Sequence, residues 1–343
     1  MKIDNFYGKH SSGASFEKMD DDFFNKKNIL ITSKLIKKNL KKMSITNNDL
    51  KDKTIMNIGS GREALGLLSF KPKEIFHYDI SHYNIIRFKK YIKTNNLNRI
   101  IKSRRLDLSK NILPRKKFDF IYLHGIIQHV DHVDKAVKNL ILSMKLNGKM
   151  WFYFYRPGSL NVFLGSLQRK LLKNIKIRKF QNFLQKRFER NFIDGIIDDC
   201  YVPNRQLFYP DHYNKNFKKN FVINFGNTFL KNYSHKVDFL NYHESVVFFL
   251  KKKRDISKIS INGLNKSRQE YVLKKILYKN KKYHDILKII SNEKKIKKDI
   301  DIFNIVVKLE LIKIKIKNIF YKNHKLTQQE LAKIINYINL IFN

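Results

Sequence analysis

The sequence predicts a doubly wound α/β fold, in which a mostly parallel seven-stranded sheet with an antiparallel edge strand is followed by a mainly helical C-terminal extension. Short apolar runs alternate with segments of helical period between residues 51 and 155. Such alternation is typical of βαβ units, whose parallel strands are covered on both faces. A glycine-rich turn follows the first run, and two further apolar runs lie close together before residue 253.

The first 50 residues are interpreted as a lead and a helix that pack on the core. Residues 1–27 are polar with scattered aromatic side chains, and residues 28–44 repeat apolar side chains with lysines between them. This spacing predicts an amphipathic helix whose apolar positions are Ile29, Ile31, Leu35, Ile36, Leu40 and Met43.

Five apolar runs are interpreted as parallel strands. Their expected bounds are 55–58, 74–81, 104–108, 118–125 and 148–155, and the helices between them are expected to begin near 64 and to span 82–97 and 131–146. The runs 220–225 and 245–252 supply two more strands. Because they lie close in sequence and no crossover helix follows the second, we expect an antiparallel pair at one edge of the sheet.

Two helical regions complete the predicted organisation. Residues 51–253 form the predicted α/β domain, and residues 156–219 are interpreted as an insertion on the carboxyl side of its sheet. One predicted helix of the insertion carries Leu160, Leu164, Leu167 and Leu171 on one face. Residues 254–343 form a lysine-rich, mainly helical tail, in which Thr327 and Glu330 have the spacing of a capping box. The alternating run IKIKIK (312–317) predicts a strand instead.

The composition bounds the class of protein. The 343 residues are 43% hydrophobic, which is too apolar for a disordered chain, and 12 glycines with 5 prolines exclude collagen-like and proline-rich classes. One cysteine, Cys200, permits neither an internal disulfide nor a cysteine-based zinc cage. Lysine interrupts every long apolar stretch, and the N-terminus has no apolar signal region. We therefore expect a cytoplasmic protein without a transmembrane segment.

The net charge of +42 is spread along the whole chain. Each of the four segments 1–50, 51–155, 156–250 and 251–343 is net positive. A dedicated nucleic-acid groove would concentrate the charge, so we interpret the excess of lysine as a compositional bias. Such a surface still predicts weak, salt-dependent binding of polyanions.

A Gly-Ser-Gly turn after the first strand predicts a nucleotide-type cofactor site. Gly59 and Gly61 let the backbone approach a ligand closely, and Asp79, at the end of the next strand, is able to accept hydrogen bonds from both hydroxyls of a ribose. A nicotinamide dinucleotide fits this turn, since Gly59, Gly61 and Ala64 match G-x-G-x-x-G/A. The purely structural alternative is a tight turn followed by an aspartate that caps a helix.

The stretches that follow decide between the cofactors by resemblance. They are IMNIGSGREALGLL, IFHYDIS, RRLDLS and FDFIYLHGIIQHVDHVDKAVKNLILSMKLNGKMWFYFY. Together they resemble the successive motifs of class I S-adenosylmethionine-dependent methyltransferases, which have a Rossmann-like fold. The resemblance covers residues 51–155 well and residues 200–250 more loosely. It implies S-adenosyl-L-methionine as the cofactor.

The resemblance also implies which residues bind this cofactor. Asn57 and the turn residues line the methionine part, Asp79 with Ile80 binds the ribose, and Asp107 with Leu108 lies at the adenine edge. The floor of the site follows the fourth strand. The implied cofactor residues are Asn57, Gly59, Ser60, Gly61, Asp79, Ile80, Asp107, Leu108, His124 and Gly125.

Two positions depart from the family pattern. The acidic residue that the family usually has at the end of its first strand is Asn57, and the third glycine of the turn is Glu63. Asn57 keeps its hydrogen-bonding groups but offers no charge to the methionine ammonium, whereas Glu63 is able to replace that charge. The alternative is a degenerate, non-catalytic module that binds a partner or a membrane surface.

Methyl transfer from a sulfonium is an in-line displacement, so the protein mainly aligns donor and acceptor and excludes water. A hydroxyl or protonated amine acceptor also needs a base. The candidate bases are His124 and His129, with His132 near them, and the candidate acceptor-binding residues are Arg156, Arg205, Tyr209 and His212, with Asp211 beside them. No metal-ligand spacing is present. We expect a small-molecule or lipid-like acceptor, and RNA is the alternative.

Overall fold

The computed structural model describes residues 24–41, 44–59, 61–155, 159–203, 205–206, 221–225, 245–254, 298–323 and 326–342. These residues belong to two compact units. The first comprises the described residues up to 155 together with 203, 205–206, 221–225 and 245–254, and the second comprises 159–202 and 298–342. The described helices of the insertion and of the tail thus lie in the same unit.

The first unit contains the predicted seven-stranded sheet. Its strands are β1 (Thr54–Ile58), β2 (Glu74–Asp79), β3 (Ile101–Arg105), β4 (Phe118–His124), β5 (Met144–Tyr155), β6 (Phe221–Phe225) and β7 (Ser245–Lys252). The order across the sheet is β3-β2-β1-β4-β5-β7-β6. The strands β1 to β5 pair in parallel, which confirms the doubly wound fold.

β6 and β7 form the expected antiparallel pair at one edge of the sheet, with β6 outermost and β7 also antiparallel to β5. Two strands differ from their expected bounds. β5 begins at Met144 and not at residue 148, because the helix expected over 131–146 ends at Ser143. β3 begins at Ile101 and ends at Arg105, whereas a strand over 104–108 was expected. Three of the five residues of β3 are basic, so the strand is not recognisable as an apolar run. The apolar residues Leu106 and Leu108 therefore moved the expected strand into the turn that follows β3.

Helices cover both faces of the sheet because side chains alternate along its strands. On one face, α1 (Lys26–Lys41), α2 (Arg62–Leu67) and α3 (His82–Thr94) pack buried side chains such as Ile36, Leu65 and Phe88 with Ile55 and Tyr122. On the other face, α4 (Val133–Ser143) packs against residues that include Met56 and Phe118. The predicted N-terminal helix is therefore part of the core.

The second unit is helical in its described residues. It contains α5 (Leu160–Leu171), α6 (Ile177–Gln185), α7 (Arg190–Tyr201), α8 (Asp299–Asn323) and α9 (Gln328–Phe342). The four leucines predicted to share a face of α5 are all buried. Phe180 of α6 packs on Phe303 of α8, with ring centroids 5.1 Å apart. The insertion helices and the tail helices therefore share one apolar core.

A buried ionic cluster also joins these helices. The Lys313 ammonium on α8 donates hydrogen bonds to Asp199 Oδ2 at 2.6 Å and Glu310 Oε2 at 2.8 Å. Its side chain is only 4% exposed. Gln168 on α5 donates to the Val306 carbonyl at 3.0 Å. Because a buried charge requires such partners, the cluster fixes α5, α7 and α8 relative to one another.

The tail corrects one prediction and confirms another. The run IKIKIK lies inside α8, because Ile312 and Ile316 share the buried face of a 25-residue helix while Ile314 is exposed. The capping box before α9 is present, since Thr327 N donates to Glu330 Oε2 at 2.8 Å and Glu330 N donates to Thr327 Oγ1 at 3.2 Å. Within the described residues, no helix is both long enough and apolar enough to span a membrane.

Candidate functional site

The carboxyl ends of the parallel strands bring the predicted site residues to one edge of the sheet. Chain order reverses between β1 and β4, and ligands bind open α/β sheets at such a reversal. Gly59 N donates a hydrogen bond to the Tyr78 carbonyl at 2.9 Å, and Leu106 N donates to the Asp79 carbonyl at 2.9 Å. The segments that follow β1, β2 and β3 are therefore neighbours.

The turn after β1 requires its glycines. Gly59 has a φ of 138° and Gly61 a φ of 99°, values that L residues with a side chain rarely adopt. A Cβ on Gly61 would lie 2.8 Å from the ring of Phe88 on α3. Gly61 also caps α2 directly, so the turn is both tight and closely packed. The predicted residue Ser60 lies outside the described residues.

A buried histidine supports this turn from the neighbouring strand. His77 Nε2 lies 2.6 Å from the Gly59 carbonyl oxygen, and His77 Nδ1 lies 2.9 Å from Ser103 Oγ. A carbonyl accepts only, so Nε2 carries the proton and Nδ1 accepts from the serine hydroxyl. Burial lowers the pKa of His77 to about 4, although its bond to Gly59 opposes the shift. His77 is therefore neutral near pH 7 and positions the turn.

Asp79 lies at the end of β2, where the sequence predicted it, and its side chain is buried. Its Oδ1 accepts from Ser81 N at 2.7 Å, and its Oδ2 accepts from Asn84 Nδ2 at 3.2 Å. The helix that follows is capped by Ser81, whose hydroxyl accepts from Asn84 N at 3.3 Å, so Asp79 is not the helix cap that the sequence left open. A carboxylate has about four acceptor positions, and these two bonds use one on each oxygen. The Ile80 carbonyl, beside it, accepts from Arg105 Nε at 3.0 Å.

Asp107 closes a local turn after β3. Its Oδ1 accepts from Ser109 N at 2.9 Å and from Ser109 Oγ at 2.6 Å, and Lys110 lies 3.3 Å from its Oδ2. Burial opposes the shift, but these bonds hold the pKa of Asp107 below its usual range. Leu108 is buried in the core beneath the turn. The adenine role of this pair stays a prediction.

Four buried polar atoms near the turn have no hydrogen-bond partner among the described residues. They are Asn57 Oδ1, Glu63 Oε2, His124 Nδ1 and Gln128 Oε1. Each such atom costs about 1–3 kcal/mol when it is left unsatisfied. The alternation of side chains along β1 and β4 places Asn57, Tyr122 and His124 on the face of the sheet that α2 covers. Glu63 belongs to α2 itself. The group therefore fits a polar ligand at this edge.

The comparison with protein families identifies the domain that contains this turn. Residues 56–152, from β1 to β5, match the family model of a methyltransferase domain. The chain contains a class I S-adenosylmethionine-dependent methyltransferase domain. The glycine turn and the strand-end aspartate of this domain lie where the sequence resemblance expected them.

Solved structures with a similar fold include three methyltransferases. A putative sarcosine dimethylglycine methyltransferase from Galdieria sulphuraria is 17% identical with a TM-score of 0.35, covering 43% of this chain and 54% of that one. An S-adenosylmethionine-dependent methyltransferase from Mesorhizobium loti is 16% identical with a TM-score of 0.30, covering 36% and 52%. PKMT2 from Rickettsia typhi, in complex with AdoHcy, is 17% identical with a TM-score of 0.43, covering 62% and 51%.

This chain spans about half the length of each of these three proteins. A search of curated proteins finds no match. The structural neighbours have low identities and TM-scores below 0.5, so the acceptor has to be argued from the site itself.

An aromatic stack at the end of β4 includes His124. Its ring stacks on Tyr153 at 4.3 Å between centroids and lies 6.0 Å from Tyr122. Tyr122 in turn lies 6.0 Å from Trp151. Burial lowers the pKa of His124, and the nearby Glu63 carboxylate opposes this shift. A neutral imidazole with an unpartnered ring nitrogen is able to accept a proton.

The other predicted histidines have different surroundings. His129 is buried at the end of a short 3₁₀ helix, Ile127–His129, and interacts with neighbouring residues there. His132 is exposed just before α4. Gly125 has a φ of 69°, and its carbonyl accepts from Gln128 Nε2 at 2.7 Å. Of the three histidines, His124 is the one that ends a strand at the site.

Arg205 is the one acceptor-site candidate within the described residues. Its guanidinium lies 5.0 Å from the ring centre of Tyr155, at the end of β5. The next residue, Gln206, donates from its backbone to the Gln128 carbonyl at 2.8 Å and from Nε2 to the Val130 carbonyl at 2.6 Å. These bonds hold Arg205 at the carboxyl edge. Arg156, Tyr209, Asp211 and His212 lie outside the described residues.

Sequence reasoning did not identify His77 or Gln128 as residues near this edge of the sheet. His77, the tether of the turn, stands out in the sequence only as a histidine within the apolar strand EIFHYD. Gln128, and the buried position of the Glu63 carboxylate, follow from the tertiary structure alone. In the part of the chain that the structure describes, no three His, Cys, Asp or Glu side chains gather as metal ligands.

Proposed function

We propose that this chain transfers a methyl group from S-adenosyl-L-methionine to a small-molecule or lipid-like acceptor in the cytoplasm. The observation that carries the proposal is the group of four buried, partnerless polar atoms beside the glycine turn of a methyltransferase domain. Donors and acceptors buried without partners are rare in native proteins, and a polar ligand satisfies them when it binds.

Each group of the cofactor has residues that suit it. Asn57, Gly59, Ser60 and Gly61 hold the methionine part, Asp79 and Ile80 the ribose, Asp107 and Leu108 the adenine, and His124 and Gly125 form the floor. The carboxylate of Asp79 suits a diol, because each of its two oxygens is able to accept a hydrogen bond from a hydroxyl. When bound, the cofactor supplies a methyl group activated by a sulfonium.

The protein's part in the reaction is alignment and, for a hydroxyl or amine acceptor, removal of one proton. The acceptor's lone pair forms the new bond to the methyl carbon as the carbon–sulfur bond breaks and its electron pair stays on sulfur. His124 Nδ1 takes the acceptor's proton, and the stack on Tyr153 fixes the ring while it does so. His129 is the second candidate base.

The acceptor side of the site combines aromatic surface with one fixed cation. Tyr153 and Tyr155 lie at the end of β5, and Arg205 lies over Tyr155. This combination suits a small molecule or lipid that has an apolar body and a polar or anionic group. We assign the same role to Arg156, Tyr209 and His212, which frame the insertion in the sequence.

Calorimetry with S-adenosylhomocysteine, the product cofactor, tests the proposal. We expect micromolar binding or better, and at least a tenfold loss in Asp79→Ala. Asp134→Asn, an exposed residue of α4, is the matched control and leaves the affinity within twofold. A nicotinamide dinucleotide is expected not to bind. The proposal fails if the intact protein binds no S-adenosylhomocysteine.

RNA is the second candidate acceptor, and a basic cavity favours it. The cavity has a volume of about 550 Å³ and lies between the turn after β3 and α4, with Lys110, Arg115, Lys135 and Lys138 along its walls. Transfer of a labelled methyl group to a panel of phenols, amines, fatty acids and total RNA distinguishes the candidates. Label in RNA that is lost in Lys135→Glu/Lys138→Glu would favour the RNA acceptor.

A further inference from the structure

Glu63 brings a carboxylate to the glycine turn. It is the second residue of α2, and its Oε2 lies 3.9 Å from the position that a Cβ on Gly59 would occupy. This oxygen is buried and has no hydrogen-bond partner among the described residues. Asn57, two residues before the turn, has a buried Oδ1 in the same condition. Two acceptors therefore flank Gly59 without donors.

Two titratable neighbours of Glu63 do not supply a positive charge. The charge of Glu63 affects the pKa values of His124 and Tyr122. Burial lowers the pKa of His124 and raises that of Tyr122, so both side chains are uncharged near pH 7. A buried acceptor oxygen without a donor is costly, so the turn favours a ligand that brings a hydrogen-bond donor with a positive charge.

The two buried oxygens also lack a hydrogen-bond donor, and this lack indicates which kind of cation would bind. A sulfonium has a positive charge but no hydrogen to donate, whereas an ammonium has three N–H donors. Two unsatisfied oxygens on either side of one glycine require a donor as well as a charge. An ammonium satisfies both requirements.

We infer that Glu63 binds the ammonium of the cofactor's methionine part, with Asn57 Oδ1 as a second acceptor. This inference rests on the proposed function. In the resembling family the charge stands at the end of the first strand, and in this chain it stands across the turn. The two departures at positions 57 and 63 therefore compensate each other, and the site keeps its anionic anchor.

Two ligands that differ only in the amino-acid end test this inference by calorimetry. S-adenosylhomocysteine has the ammonium, whereas 5′-methylthioadenosine keeps the nucleoside and the thioether without it. We expect Glu63→Gln to weaken S-adenosylhomocysteine binding by about tenfold to a hundredfold, the range of one charge-assisted hydrogen bond. Binding of 5′-methylthioadenosine should change by less than twofold.

Two further variants separate this role from a structural one. Asp79→Asn should weaken both ligands by a similar factor, because it acts on the ribose that they share. Asn57→Asp in the Glu63→Gln background restores a carboxylate at the strand end, and it should recover most of the lost affinity for S-adenosylhomocysteine.

The outcomes distinguish this inference from the proposed function. If the wild type binds S-adenosylhomocysteine and Glu63→Gln binds it equally well, the inference is wrong and the function stands. Equal losses for both ligands in Glu63→Gln would also overturn it, because they would indicate a distorted turn. If the wild type binds neither ligand, the proposed function fails together with the inference.

Discussion

His77 Nε2 donates a 2.6 Å hydrogen bond to the carbonyl oxygen of Gly59, and this bond ties the ligand-binding turn to the neighbouring strand. The ring is buried between that carbonyl and Ser103, so it is held at both nitrogens. The turn itself has few other ways to keep its conformation, because its glycines lack side chains. The geometry of the site therefore depends on a residue that does not touch the proposed cofactor.

Replacing this histidine tests the tether. His77→Ala leaves the Gly59 carbonyl buried without a donor, which costs about 1–3 kcal/mol, and we expect both a lower melting temperature and about tenfold weaker binding of S-adenosylhomocysteine. Ser103→Ala removes only the second bond of the ring and should have the smaller effect on both measurements. A His77→Ala protein with unchanged affinity would show that the turn holds its shape without the tether.

The same histidine predicts a pH dependence of stability. Its pKa is about 4 in the folded protein and about 6.5 when unfolded, so the unfolded chain binds the extra proton first as the pH falls. The contribution of His77 to the unfolding free energy is therefore fully present above about pH 6.5, and about 3 kcal/mol of it is lost by pH 4. His77→Gln keeps a donor for Gly59 but does not titrate. Its unfolding free energy should fall less steeply across this range, and equal slopes would contradict the prediction.

Gly61 and Gly195 predict opposite effects of the same substitution. Gly61→Ala places a Cβ 2.8 Å from the Phe88 ring at a φ of 99°, so we expect about 3 kcal/mol of destabilisation and loss of cofactor binding. Gly195→Ala, in α7, meets no atom within 4 Å. It should stabilise by about 0.5–1 kcal/mol, because alanine favours the helix. Chemical denaturation of both variants measures the difference, and equal effects would contradict it.

His124 predicts how the rate depends on pH. If it is the base, the methylation rate rises as the ring loses its proton, and the midpoint lies below the ordinary histidine pKa of about 6.5 because burial lowers it. His124→Gln should lower kcat at pH 7 by about 10²–10⁴-fold, which is a much larger effect than its effect on S-adenosylhomocysteine binding. His132→Gln, at an exposed position, is the control. Rates in His124→Gln within threefold of the wild type would exclude this base.

The ionic cluster of the second unit predicts a strong effect on stability. Lys313→Met removes the buried cation from the partly exposed carboxylates of Asp199 and Glu310, so we expect about 3 kcal/mol of destabilisation or less. Lys315→Met, at an exposed position of the same helix, should change stability by about 0.5 kcal/mol or less. The buried thiol of Cys200 is a local reporter. It should react faster with a thiol reagent in Lys313→Met than in the control.

The sequence predicted the sheet well where strands are apolar and poorly where they are not. The bounds of β7 agree with the prediction, and those of β4 and β6 differ by one residue at one end, because each of these runs is almost wholly apolar. β3 was misplaced because Lys102, Arg104 and Arg105 face outward on an edge strand and hide it. The run IKIKIK was predicted as a strand for a different reason. Lys313 is buried in a helix, where its charge is neutralised by Asp199, which is distant in sequence.

The same limit applies to the candidate site. Glycines and strand-end aspartates have local signatures, so Gly59, Gly61 and Asp79 could be found from spacing alone. The tether of His77, the partnerless oxygen of Glu63 and the stack around His124 depend on which strands are neighbours. Those relationships arise only when β1 lies between β2 and β4.

A crystal structure of the protein with S-adenosylhomocysteine is the most direct test of the central proposal. We expect the ribose hydroxyls within about 3 Å of the Asp79 carboxylate and the amino-acid end against Gly59 and Gly61. A ligand bound elsewhere, or a turn filled by the protein's own side chains, would contradict the assignment of this edge as the cofactor site.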